Sequence, residues 1–220
     1  MSKQRPLNYD ISVFINCPFD TEYEQFFAAL VFAVHDCGFI ARSAAEVGDR
    51  SRGRIDKIFE IVAACRFGIH DISRTELDAK SKLPRFNMPL ELGIFLAAKY
   101  YGNKAQRDKT CLVMEREEHL CRIFCSDLKG YDIPAHNGDT RAAVTLVRDW
   151  LLSETVDPYL VQKSTEPDWP LPSGSFLFSR YEAFLRELPT LRARFHFNSP
   201  EFNFVEHRGC CKEWLTTHPR

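Results

Sequence analysis

The chain lacks most of the motifs that disclose an activity directly. Neither G-x-G-x-x-G nor G-x-x-x-x-G-K-[ST] occurs, so the glycine loops of dinucleotide oxidoreductases and P-loop NTPases are missing. No G-x-S-x-G elbow is present, which argues against an α/β-hydrolase. No run approaches the roughly 18 apolar residues of a membrane span. The polar opening MSKQRPLNYD has no apolar core of the secretory type. Excess charge is also missing: 29 Lys and Arg meet 30 Asp and Glu, for a net charge of -1. Bulk attraction to nucleic acid or a membrane surface is therefore not expected. The 8 cysteines include no C-x-x-C pair. Reduced thiols in a cytoplasmic protein are the expectation.

Cys37, Cys65 and Cys111 lie inside apolar runs and read as small hydrophobes. His119, Cys121 and Cys125 lie close together but lack a fourth ligand at sensible spacing, so no metal site is expected. Cys210-Cys211 reads as tail sequence.

What is present is a long, phenylalanine-rich chain. Its 220 residues, 45% hydrophobic and with 18 Phe, suffice for one large core or for a domain with an appendage. The first 150 residues alternate strand and helix patterns. Ile11–Ile15, Phe39–Ala41, Phe67–Ile69 and Thr110–Met114 read as short buried strands, with a poorer fifth over Leu128–Ile133.

Helices are predicted over Thr21–Cys37, Ser51–Cys65, Pro89–Tyr101, 115–125 and Thr140–Leu152. Thr21 and Glu24 fit a capping box, and Gly38 a stop. Ile55, Ile58, Phe59, Ile61 and Val62 mark the buried side of the second helix. Residues 103–109 read as a charged surface loop.

This rhythm implies an α/β fold, a flavodoxin-like, doubly wound, parallel five-stranded sheet, over residues 1–152. Residues 153–174, with Pro158, Pro167, Pro170 and Pro172, read as a linker. Residues 175–220 read as a C-terminal helical appendage, its helix broken near Pro189 and its last 25 residues without clear period.

In such sheets ligands sit beyond the carboxyl ends of the strands, where the strand order reverses. That point lies between strands one and three, whose ends are Asn16–Asp20 and His70–Ser73. The helix that follows strand three starts at Asn87–Glu91 and faces the same crevice. Glu91, placed in the first helical turn, would have its ionised form favoured by the helix dipole. A carboxylate there can attack or stabilise an anomeric carbon, while a second, Asp71, binds hydroxyls or manages a proton. Asp20 is a further candidate for either job, Asn87 a donor to Glu91 or ligand, and Phe19 or Tyr23 a platform for a base. Asn16, Pro18, Arg42 and Ser73 complete the candidate binding set.

Each feature also has a plainer explanation. Asn87, Pro89 and Glu91 together suit an ordinary helix start. Asp71-Ile72-Ser73 suits a strand end, and Asp20 a helix cap. Arg50, Arg52 and Arg54 read as a solvated run or as a phosphate site. His70 is either an acid/base or a buried structural residue.

The segments Val13-Phe14-Ile15-Asn16-Cys17-Pro18-Phe19-Asp20, Asp71-Ile72-Ser73 and Asn87-Met88-Pro89-Leu90-Glu91-Leu92-Gly93 together resemble the nucleoside 2-deoxyribosyltransferase-like families, relatives in fold of TIR domains. The resemblance covers roughly residues 11–150. It implies that Glu91 is the glycosidic nucleophile and Asp71 a substrate-binding residue. It implies a nucleoside, nucleotide or NAD-like partner, with NAD among the candidate substrates and no cofactor, and leaves a homo-oligomer open. It equally admits a domain that senses a nucleotide without cleaving it, as in bacterial signalling or defence systems. The strand-one loop, the polar stretch 74–85 and the C-terminal residues depart from the family pattern.

Overall fold

The structure, a computed structural model, describes residues 6–46, 51, 53–74, 82, 86–155 and 171–220. Four parallel strands form one sheet: β1 (Ser12–Asn16), β2 (Ile40–Arg42), β3 (Phe67–Asp71) and β4 (Thr110–Met114), in the order β2-β1-β3-β4. Strand order therefore reverses between β1 and β3, and their register pairs Asn16 with His70 at the carboxyl edge. Seven α-helices accompany them among the described residues: α1 (Glu24–Asp36), α2 (Arg54–Ala63), α3 (Asn87–Tyr101), α4 (Cys121–Phe124), α5 (Thr140–Thr155), α6 (Gly174–Arg194) and α7 (Phe204–Thr217). Among these residues no helix is long and apolar enough to cross a membrane.

Side chains alternate across the sheet as strand geometry requires. Val13, Ile15, Phe67, Ile69, Leu112 and Met114 enter one core with α1, α5, α6 and α7. Phe14 faces the other side, against Ile58, Ile61 and Val62 of α2 and Phe95 of α3. Ile55 and Phe59, expected on the buried face of α2, are 37% and 50% exposed.

Several expectations are corrected. The sheet has no fifth strand among the described residues; only Glu115 and Ala135 form a parallel bridge. Leu128–Ile133 instead enters a 3₁₀ turn, Ser126–Leu128, and Pro134 has no N–H with which to extend the ladder. The helix expected over 115–125 shrinks to α4. The Glu115 carboxylate accepts from the backbone N–H of His119 (2.8 Å) and Cys121 (2.6 Å), and His119 takes a left-handed φ of 70°. A side chain that binds backbone donors competes with a helix.

The capping box at Thr21 is also absent. α1 starts at Glu24, and Asp20 receives the Tyr23 N–H instead (3.1 Å). Lys109, assigned to a surface loop, is fully buried. Its ammonium donates to the carbonyls of Val62 (2.6 Å) and Cys65 at the end of α2. The loop before it is a 3₁₀ helix, Lys104–Asp108.

α6 runs unbroken through Pro189, which sits on the exposed side while Tyr181, Phe184 and Leu191 stay buried. The last residues form α7, with Phe204, His207, Cys211 and Trp214 inward and Cys210 also buried. All eight cysteines are free. The Arg180 guanidinium clasps Asp36 of α1 (2.9 Å), and the His207 ring meets the Ala28 carbonyl (3.1 Å), so α6 and α7 pack directly on α1. Arg50, Arg52, most of the polar stretch 74–85, and 156–170 of the linker lie outside the described residues.

Candidate functional site

β1, β3 and the start of α3 converge through one side chain. Asn16 Nδ2 donates to His70 Nδ1 (3.0 Å) and to the Met88 carbonyl (2.9 Å). The three polar clusters read from the sequence are thus held together at the carboxyl edge. The bond to Nδ1 leaves the His70 proton on Nε2, which has no partner. Burial lowers the His70 pKa to about 3, so the ring is neutral.

Asp71 ends β3 and is completely buried. The Tyr23 hydroxyl and His136 Nε2 (3.2 Å) meet its Oδ2, while the Ser73 N–H (2.9 Å) and Ser73 hydroxyl donate to its Oδ1. Both carboxylate oxygens are fully subscribed by protein donors. Asp71 therefore organises Tyr23, Ser73 and His136, and presents no free lone pair to a ligand. Burial, then the Asp71 charge, pushes the Tyr23 phenol well above its usual range. His136 Nδ1 accepts from the Gly138 N–H (3.1 Å), which places its proton on Nε2, facing Asp71 and the Ser73 hydroxyl (3.0 Å). This is not a nucleophilic triad, because serine and aspartate share the same ring nitrogen and all three are sealed.

Glu91 behaves differently. It is the fifth residue of α3, whose N-cap is Phe86, and so lies beyond the first turn where the dipole acts strongly. It is 2% exposed, and its buried Oε2 has no hydrogen-bond partner. Burial raises its pKa from 4.5 to about 7, against a smaller opposing pull from Arg54. The expectation that the helix start favours its ionised form is thus reversed: desolvation outweighs the dipole. Asn87 is exposed and is the first residue of the helix, while the N-cap, Phe86, makes no side-chain cap.

Cys17, in the loop after β1, is buried where Asp71, Glu91 and Asp20 all act on it. Burial first, then those three charges, push its thiol up. It is not poised as a nucleophile.

Pro18, Phe19 and Asp20 open onto a cleft of ≈ 530 Å³ at the carboxyl ends of β1 and β2. Arg54 and Lys57 of α2 and Phe202, Asn203 and Phe204 complete its walls. The Arg54 guanidinium lies 5.8 Å from the centre of the Phe19 ring, and Asp20 is paired with Arg74 (2.8 Å). Arg42 is not in the cleft; its guanidinium is bound by Glu46.

The sequence reading missed His136, Phe202 and Phe204. His136 follows the remnant of the fifth strand, at the same sheet edge as strands one and three. Phe202 and Phe204 lie in residues with no recognised period. No family model, curated protein or solved structure matches the chain.

Proposed function

We propose that the protein breaks or transfers the N-glycosidic bond of a nucleoside, nucleotide or NAD-like molecule, with Glu91 as nucleophile or oxocarbenium stabiliser. One observation carries this reading: Glu91 holds a buried carboxylate oxygen without a partner, at the edge where α/β sheets bind ligands. Leaving such a group unpaired costs stability, and a site that uses it explains the cost.

With a pKa of about 7, Glu91 populates both protonation states near neutral pH. As the anion it faces the positive charge that develops at the anomeric carbon. In the covalent route its oxygen bonds to that carbon while the carbon–nitrogen electron pair leaves with the base. Water then cleaves the ester: its oxygen and one proton stay with the sugar, its other proton goes to the departed base or, where the base leaves neutral, to solvent, and the carboxylate is returned. Asp71 enters as a positioning residue that holds Tyr23, Ser73 and His136. The resemblance of the Asn87–Gly93 segment to deoxyribosyltransferase-like and TIR-like families supports the same chemistry.

Incubation of the purified protein with nucleosides, nucleoside monophosphates and NAD, with base release followed by chromatography, tests this. Wild type should release base and Glu91→Gln should not. No release by wild type, or equal release by both, rejects the catalytic role. The sealing of Asp71 favours a second reading, nucleotide sensing without turnover, and binding with no base release is its signature.

A further inference from the structure

The cleft at the carboxyl ends of β1 and β2 has a chemical polarity of its own. One wall is aromatic. Phe27 packs edge-on to Phe19 (5.1 Å between ring centres) and stacks on Phe204 (5.7 Å), with Phe202 beside it (5.6 Å). Phe19 keeps 38% of its surface exposed at the mouth. The other wall is the start of α2. Arg54 and Lys57 lie one turn apart on one helix face; Arg54 sits over the Phe19 ring, and neither side chain has a hydrogen bond or ion pair among the described residues. The helix runs ten residues from an N-cap, Gly53, that offers no side-chain acceptor to its first N–H groups. Its first turn also carries the Asp56 carboxylate, so an anion here depends on Arg54 and Lys57 together with the helix N–H groups to outweigh that charge. Glu24 lines the cleft as an acceptor, and Asp20, paired with Arg74, lines it too.

We propose that this cleft binds a nucleoside 5′-monophosphate. The base lies against Phe19 and the Phe202–Phe204 wall, and the phosphate at Arg54, Lys57 and the start of α2. Glu24 accepts from sugar hydroxyls. The C-terminal residues thereby become part of the ligand site, with Phe202 and Phe204 as specificity-determining residues. This goes beyond the proposed function, because buried Glu91 does not line the cleft, and the binding is measurable without turnover.

Calorimetric titration of the Glu91→Gln protein with adenosine 5′-monophosphate, cytidine 5′-monophosphate, the matching nucleosides, NAD and inorganic phosphate tests it. At least one monophosphate should bind about 10-fold tighter than its nucleoside, the size expected of a charge-assisted phosphate contact. The double change Arg54→Gln, Lys57→Gln should erase that difference and leave nucleoside affinity in place. Phe204→Leu should weaken nucleoside and monophosphate alike. Equal affinity for the two forms, tighter binding of NAD, no binding of any probe, or indifference to the charge changes would each overturn the assignment. Monophosphate binding without base release by wild type would remove the glycosidic chemistry and leave this site standing. Base release that ignores the phosphate would do the reverse.

Discussion

His136 Nε2 lies 3.2 Å from Asp71 Oδ2, and neither side chain has any surface in contact with solvent. The pair joins the end of β3 to the segment that leaves the Glu115–Ala135 bridge, so among the described residues side chains rather than a fifth strand make this connection. Tyr23 adds α1's entrance to the same carboxylate. A buried polar network of this kind fixes geometry when every member is satisfied, and is costly when one is removed.

Replacing His136 with Phe should therefore destabilise the fold by about 2–3 kcal/mol, because it strips one donor from a buried carboxylate. Tyr23→Phe removes a different donor from the same oxygen. The double variant should cost measurably other than the sum of the singles, since both act on one group. Urea denaturation of the four proteins reads this directly. Additivity within 0.5 kcal/mol, the scatter seen for independent sites, would show that the network is not a unit.

Glu91→Gln should stabilise the protein in a pH-dependent way. The Glu91 carboxyl has a folded pKa of about 7 against an ordinary value of 4.5. Between those values the unfolded chain loses its proton first, so wild-type stability falls as pH rises from 4.5 to about 7 and levels off above. The full penalty is about 3 kcal/mol at one pKa unit per 1.36 kcal/mol. The glutamine variant lacks that term. Its melting temperature should match wild type near pH 4.5 and exceed it at pH 8. A constant difference across that range would mean that the carboxyl is not desolvated.

The parallel sheet was legible because its two central strands, β1 and β3, are buried on both faces and its strands read as short apolar runs between clear breakers. Thr110–Met114 emerged with the predicted bounds, since nothing at its ends competes with the pattern. The site was legible as topology: Asn16, His70 and Met88 do meet. What local pattern concealed was how polar groups are spent. Asp71 looked like a ligand-facing acid, yet its partners Tyr23 and His136 are 48 and 65 positions distant in sequence. α7 was concealed because His207, Cys211 and Trp214 carry its inward face, and periodicity is read most easily from aliphatic residues. Glu115 shows the opposite failure. Residues 115–125 have helical character, but one carboxylate bound to two backbone N–H groups redirects the chain.

Gly68→Ala should be among the most damaging small changes in the sheet. A Cβ at Gly68 would stand 2.7 Å from His70 Nε2 and 2.9 Å from the Phe95 ring. Both neighbours are buried, and His70 is held by Asn16, so neither can yield easily. Overpacking of this kind costs about 1–3 kcal/mol. His70 is also the residue through which Asn16 ties β1 to β3, so the damage should reach the candidate site. Gly68→Ala should lower the urea midpoint and weaken nucleotide binding together. A stable variant with normal binding would show that the ring pair has room to move.

Asn203 links the last helix to the cleft, and two substitutions separate its roles. Its Oδ1 accepts from the N–H groups of Val205 (2.9 Å) and Glu206 (3.1 Å), capping α7, while the residue lies on the cleft wall between Phe202 and Phe204. Asn203→Ala removes the cap and should cost about 1 kcal/mol of stability. Because α7 positions Phe204, it should also weaken binding of both nucleosides and monophosphates. Asn203→Asp keeps an equally good cap, so stability should return to the wild-type level. It also adds a negative charge to the cleft that Arg54 and Lys57 line, so monophosphate affinity alone should fall, and most steeply at low salt. Melting curves and titrations on the same three proteins decide between the roles. If Asn203→Asp restored stability and left monophosphate binding unchanged, the phosphate would have to bind away from this cleft.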